Sequence, residues 1–119
     1  MKWKLDKNLP ICPQLCEQIC VLISSGELSA GQRLYSVREV ALSAGVNPNT
    51  VQKAFLQLEQ TGLIYSVRGS GWYISDDTSR AHQIVKSMIN AKTNSFFSDM
   101  QKLGLSHEQI KEIVKEWQQ

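Results

Sequence analysis

Ser36-Val37-Arg38-Glu39-Val40-Ala41-Leu42-Ser43-Ala44-Gly45-Val46-Asn47-Pro48-Asn49-Thr50-Val51-Gln52-Lys53-Ala54-Phe55 contains two helix starts with a single glycine between them. Ser36 and Glu39 have capping-box spacing, in which hydroxyl and carboxylate each satisfy an orphan backbone donor. Val37, Val40, Ala41 and Ala44 then form an apolar face, and Gly45 ends that helix. Asn47 is a good N-cap and Pro48 sits at the first helical position, where its missing N–H costs nothing. Val51, Ala54, Phe55 and Leu58 recur on one face of the second helix, which Gly62 closes. Two helices that meet steeply through a short turn need a small residue on the first and a residue tolerant of positive φ in the turn. They also need an apolar residue on the second that packs back. Ala41, Gly45 and Val51 supply these at the spacing of a helix-turn-helix.

The flanks extend this motif in both directions. Upstream, Ile11, Leu15, Ile19, Leu22 and Ile23 recur at helical steps over Ile11–Ser25, with Pro13 in the first turn and Gly26 as the stop. Gly31 marks a turn before Arg33-Leu34-Tyr35. Downstream, Leu63–Val67 and Trp72–Ser75 read as two short strands around Arg68-Gly69-Ser70-Gly71, whose glycines suit a tight hairpin. A hairpin with a basic, glycine-containing tip directly after the second helix makes the motif a winged helix. Beyond the polar run Ser75–Ser79, a long helix is expected over Ser79–Leu103, with Asn94 and Ser95 weakening its middle and leaving a break there open. Ser106 and Gln109 then cap a final amphipathic helix carrying Ile110, Ile113, Val114 and Trp117. The expected fold is mainly α with a small β-hairpin. It comprises a winged helix-turn-helix DNA-binding domain over 1–75 and a two-helix, carboxy-terminal dimerisation tail over 76–119.

Composition agrees with this reading without deciding it. The 119 residues are 42% hydrophobic and 20% charged, enough for a core and unlike a disordered chain. The net charge is +2; residues 1–75 carry 7 basic and 5 acidic side chains, and residues 76–119 carry 6 of each, so the basic excess lies on the winged helix. Polar residues Gln14, Glu17 and Gln18 interrupt Ile11–Ile23, so that segment is neither a membrane span nor a signal core, and a cytoplasmic location is expected. No nucleophile–base pair, phosphate loop or metal cluster marks an enzyme, and no cofactor is expected.

The exposed positions of the motif offer nucleic-acid chemistry. Asn47, Asn49 and Gln52 can read adenine, and Arg38 can read guanine O6 and N7 in a major groove. Thr50 and Lys53 suit phosphates, the latter as a point charge that positions without specifying, and Ser36 is counted with the DNA-binding residues. Arg68 at the hairpin tip can enter a minor groove or lie on a strand's backbone, and Gly69 permits the close approach.

The stretch from Gln18 to Ile74 resembles the DNA-binding domain of the GntR family of bacterial transcription regulators. The matching elements are Ile23-Ser24-Ser25-Gly26-Glu27-Leu28, Gly31-Gln32-Arg33-Leu34, Ser36-Val37-Arg38-Glu39 and Val46-Asn47-Pro48-Asn49-Thr50-Val51. Lys53-Ala54-Phe55, Leu58-Glu59, Gly62-Leu63-Ile64 and Arg68-Gly69-Ser70-Gly71 follow in order. The opening Trp3-Lys4-Leu5-Asp6 and the short helical tail look like the YtrA-type subfamily, in which the tail serves dimerisation. One departure is Tyr35, where the family usually has proline; tyrosine still permits an extended approach to the Ser36 cap. The resemblance implies that Arg38, Asn47, Asn49, Thr50 and Gln52 touch DNA and that Arg68 and Gly69 form the wing tip. It implies a repressor that binds a palindromic double-stranded operator as a homodimer.

Other features compete for a role. The apolar stripe Ile84, Met88, Phe96, Met100 and Leu103, continued by Ile110 and Val114, suits either an internal core or a dimer seam. The seam is favoured, because the winged helix closes its own core and leaves this face unpartnered. A small-molecule effector at that seam stays open. Cys12, Cys16 and Cys20 share one helical face; no zinc-ligand spacing accompanies them, and they read as small buried hydrophobes, with a thiol- or metal-responsive sensor as the alternative. A further rival is a winged helix that binds protein and not DNA.

Overall fold

The computed structural model describes residues 1–118. The elements run α1 (Ile11–Ser25), α2 (Val37–Ala44), α3 (Pro48–Gln60), β1 (Ile64–Val67), β2 (Gly71–Ile74), α4 (Ser79–Lys102) and α5 (His107–Glu116). Local chemistry sets the helix starts. Ser36 Oγ accepts the Glu39 amide at 3.0 Å while Glu39 Oε1 accepts the Ser36 amide at 3.0 Å. Ser106 and Gln109 repeat that exchange at α5, at 3.2 and 2.8 Å. Asn47 Oδ1 caps α3 by accepting the Asn49 amide at 2.8 Å. Tyr35 delivers Ser36 in extended backbone, φ −69° and ψ 159°, so the cap forms without the family's proline.

The first compact unit spans Met1–Val85. Its core gathers Leu15, Ile19 and Ile23 of α1, Val40 and Ala41 of α2, and Val51, Ala54, Phe55 and Leu58 of α3, all buried. These are the i, i+3, i+4 positions of each helix, so one stripe per helix turns inward and the opposite stripe is left to water. The hairpin is antiparallel in the register Ile64↔Ile74, Tyr65↔Tyr73, Ser66↔Trp72 and Val67↔Gly71. Its inner face brings Trp72 edge-on to Phe55, with ring centroids 5.7 Å apart at 76°. The segment after Gly31, expected as a turn only, also joins the sheet. Gly31 donates to Ile74 O at 2.8 Å, Leu34 donates to Trp72 O at 2.8 Å, and Arg33 bridges Tyr73. That edge pairing depends on a partner some 40 residues away, which periodicity cannot reveal.

The core extends past the polar run at 75–79. Ala81 is fully buried, Ile84 and Val85 pack against the core, and the Cys20 thiol reaches Ala81 O at 3.7 Å. The compact unit therefore continues to Val85, ten residues beyond the boundary that composition suggests, and the first turns of α4 serve the winged helix. The second unit spans Lys86–Gln119. Within it α4 runs unbroken through Asn94 and Ser95, Phe97 lies 5.7 Å from the His107 ring, and Ile110 is fully buried.

Candidate nucleic-acid interface

Gly45 adopts φ +67°, and a Cβ there would stand 3.3 Å from Lys7 Nζ. Its left-handed backbone lets Val46 N–H turn back to Ala41 O at 3.1 Å and redirects the chain into Asn47. With Ala41 and Val51 both buried beneath that turn, α3 is fixed by its inner stripe and shows its outer stripe to solvent. Asn49, Gln52 and Lys53 are all exposed there, and Asn47 is exposed as the cap. Thr50 is half-buried in the first turn. The α3 amino terminus adds free N–H groups and partial positive charge at the same place.

Arg38 is exposed on the second position of α2, and Arg68 and Gly69 are exposed at the hairpin tip. Gly69 sits at φ +79°, and Ser70 N–H closes the tip on Val67 O at 2.9 Å. Ser36 is half-buried, and its oxygen holds the cap. Among the described residues the one ion pair within 4.0 Å is Lys111–Glu108 on α5. Among the described residues Arg38, Lys53 and Arg68 therefore make no such pair and are exposed, as contact with a polyanion requires.

The structure also shows supports that the sequence reading passes over. Gln14 and Gln18, taken there only as polar interruptions of α1, hold the amino-terminal segment by its backbone. Gln18 bonds both Lys4 N and Lys4 O, at 3.0 and 2.7 Å, and Gln14 accepts from Asp6 N at 2.8 Å. The segment then reaches the helix-turn-helix: Trp3 Nε1 donates to Ser43 Oγ at 2.9 Å and Lys7 Nζ to Gly45 O at 2.7 Å. Their i, i+4 spacing on one helix edge was the available signal.

The three cysteines are free thiols. Cys16 donates to Ala54 O at 3.4 Å, and burial, with the neighbouring Cys12 adding to it, pushes its thiol up to about 12. Burial raises Cys20 as well. Nucleophilic attack needs the thiolate, so Cys16 is expected to resist iodoacetamide at pH 8 in the folded protein. Mass spectrometry should find all three cysteines alkylated in urea, and rapid native labelling of Cys16 would contradict its packing role. No group of three or more His, Cys, Asp or Glu among the described residues is placed to hold a metal ion.

Of the stripe assigned to a dimer seam, Phe96, Leu103 and Val114 are exposed and Met88 and Met100 half-buried. Two members differ from that expectation. Ile110 is wholly inside its own unit, and Ile84 packs on the winged-helix core. An amphipathic stripe reports which side of a helix is apolar and not which neighbour covers it.

A steep helix pair with an outward polar stripe, flanked by an arginine-tipped hairpin, defines a winged helix-turn-helix DNA-binding protein. The chain belongs to the GntR family: the pattern of the bacterial regulatory proteins of the gntR family matches residues 13–74. It is 36% identical over 110 residues to the HTH-type transcriptional repressor YtrA of Bacillus subtilis (strain 168), covering 92% of this chain and 85% of that protein. A GntR family transcriptional regulator from Listeria monocytogenes shares 39% identity at a TM-score of 0.86, over 96% of this chain and 100% of that one. The AraR DNA-binding domain, solved in complex with operator ORE1, shares 30% identity at a TM-score of 0.55, over 63% of this chain and 94% of that one.

Proposed function

We propose that this protein is a cytoplasmic transcriptional repressor that binds a palindromic double-stranded operator as a homodimer and acts by occupancy, without catalysis. The winged-helix unit, which continues to Val85, reads DNA, and the exposed apolar residues beyond it, from Met88 onward, carry the dimer contacts. The observation that supports this most is the exposure of the polar and basic residues of the motif: Asn49, Gln52 and Lys53 on α3, Arg38 on α2 and Arg68 on the wing. In this reading Arg38, Asn47, Asn49 and Gln52 meet base edges, Ser36, Thr50 and Lys53 hold phosphates, and Arg68 with Gly69 forms the wing contact. The AraR complex with its operator and the repressor YtrA are relatives that favour it.

For the tail, Phe96, Met100, Ile113, Val114 and Trp117 line an open apolar groove of about 260 Å³ within the second unit. Leu103 is 77% exposed and Trp117 70%. So much apolar surface on a short segment favours burial against a second copy, and two-fold symmetry would pair two recognition helices with a symmetric site.

Selection of bound duplexes from a randomised pool tests the whole reading, and the enriched site is expected to be an inverted repeat. On that site Arg38→Ala should cost about 1–3 kcal/mol and relax preference at one base pair. Lys53→Ala should weaken specific and shuffled duplexes alike and lower the salt slope by about one. Equal losses on both duplexes for both variants would overturn the assignment of roles, and a pool with no enriched sequence would overturn specific DNA binding.

A further inference from the structure

The outer face of the hairpin carries a row that DNA reading by α3 does not use. Tyr73 stands in register with Tyr65, and the two rings stack with centroids 5.8 Å apart at 22°. On its other side Tyr73 is bridged by Arg33. The Arg33 guanidinium lies over Gly71, where a Cβ would meet Nε at 3.3 Å and Nη2 at 3.4 Å. This face is opposite Trp72 and Ile74, so nothing in the core needs the Tyr73 hydroxyl. That hydroxyl instead is hydrogen-bonded to the Ser70 hydroxyl, and Ser70 closes the turn that carries Arg68 and Gly69 through its amide on Val67 O.

We propose that Tyr73 is a positioning residue for the wing: its hydroxyl, through Ser70, ties the tip turn to the rigid strand and so aims Arg68 at DNA. The inference rests on the wing contact proposed above. A tip holding two glycines within four residues has wide backbone freedom, and an arginine on it must be ordered before it binds. Phenylalanine would satisfy the stack on Tyr65 equally well; only the hydroxyl reaches the turn. The link ties the tip at the residue that follows Arg68-Gly69, so its loss costs binding through the ordering of the tip and leaves the fold intact.

The test compares full-length Tyr73→Phe, Ser70→Ala, Arg68→Ala and the Tyr73→Phe/Arg68→Ala double variant on the duplex enriched from the randomised pool. Tyr73→Phe and Ser70→Ala should each weaken binding by about three- to tenfold, the range of one hydrogen bond, with the fold retained and the melting temperature lowered by a few degrees at most. In the Arg68→Ala background the Tyr73→Phe effect should vanish, which a merely structural role would not produce. If Arg68→Ala weakens binding and Tyr73→Phe does not, or if the Tyr73→Phe loss persists undiminished without Arg68, the positioning role is overturned while the wing contact stands. If Arg68→Ala leaves affinity unchanged, whatever Tyr73→Phe does, the wing contact itself has failed and the positioning role falls with it.

Discussion

Phe96→Asp should give a monomer by sedimentation velocity whose affinity for the enriched palindrome falls about 10²- to 10⁴-fold. The magnitude is that of losing the second of two linked binding events, since each recognition helix alone holds one half-site. Phe96 lines the apolar groove with Met100 and Val114 and is 40% exposed within one protomer. The single chain can hydrate the new carboxylate, so the fold should persist, as circular dichroism would show. A seam between two copies would bury that charge without a partner, which it cannot tolerate. Unchanged sedimentation of the variant would remove the groove from the dimer contact, and the assignment of the residues from Met88 onward with it.

Phe55→Ala should lower unfolding stability by about 3–5 kcal/mol, the range for removing a buried aromatic. The residue is fully buried on the inner stripe of α3 and receives the edge of Trp72. It therefore joins α3 to the hairpin, and its loss loosens both elements together. Against a typical total of about 5–15 kcal/mol, such a loss leaves much of the population unfolded near physiological temperature. Leu56→Ala is the control: one residue along the same helix, 43% exposed, it should change stability by about 0.5 kcal/mol or less. Urea titration of the two variants measures the difference. Comparable losses at both positions would mean that α3 does not present the inner and outer stripes described here.

Features governed by neighbours in sequence were open to reading in advance. The Ser36–Glu39 and Ser106–Gln109 caps and the Asn47–Pro48 start involve groups within three residues of each other, and the chain folds them as their chemistry dictates. The same holds for the inward stripe of α3, and hence for the outward placement of Asn49 and Gln52. Features governed by distant partners were not open in this way. The pairing of Arg33 with Tyr73 needs the hairpin to be in place first. Ile84 and Ile110 look identical to seam residues along the helix, yet each found cover within its own unit. Asp76 and Asp77 suggested a boundary by polarity, while Ala81, small enough to sit against Cys20, carried the core beyond it.

The glutamine hooks on α1 make residues 3–8 part of the support of the helix-turn-helix. Removing residues 1–8 would leave every helix and both strands in the chain, yet Gln18 would lose the Lys4 backbone, Gln14 would lose Asp6 and keep only Leu9 and Pro10, and Ser43 and Gly45 would lose Trp3 and Lys7. Such a truncated chain would keep every exposed side chain of α3 while losing the brace behind the turn that aims it.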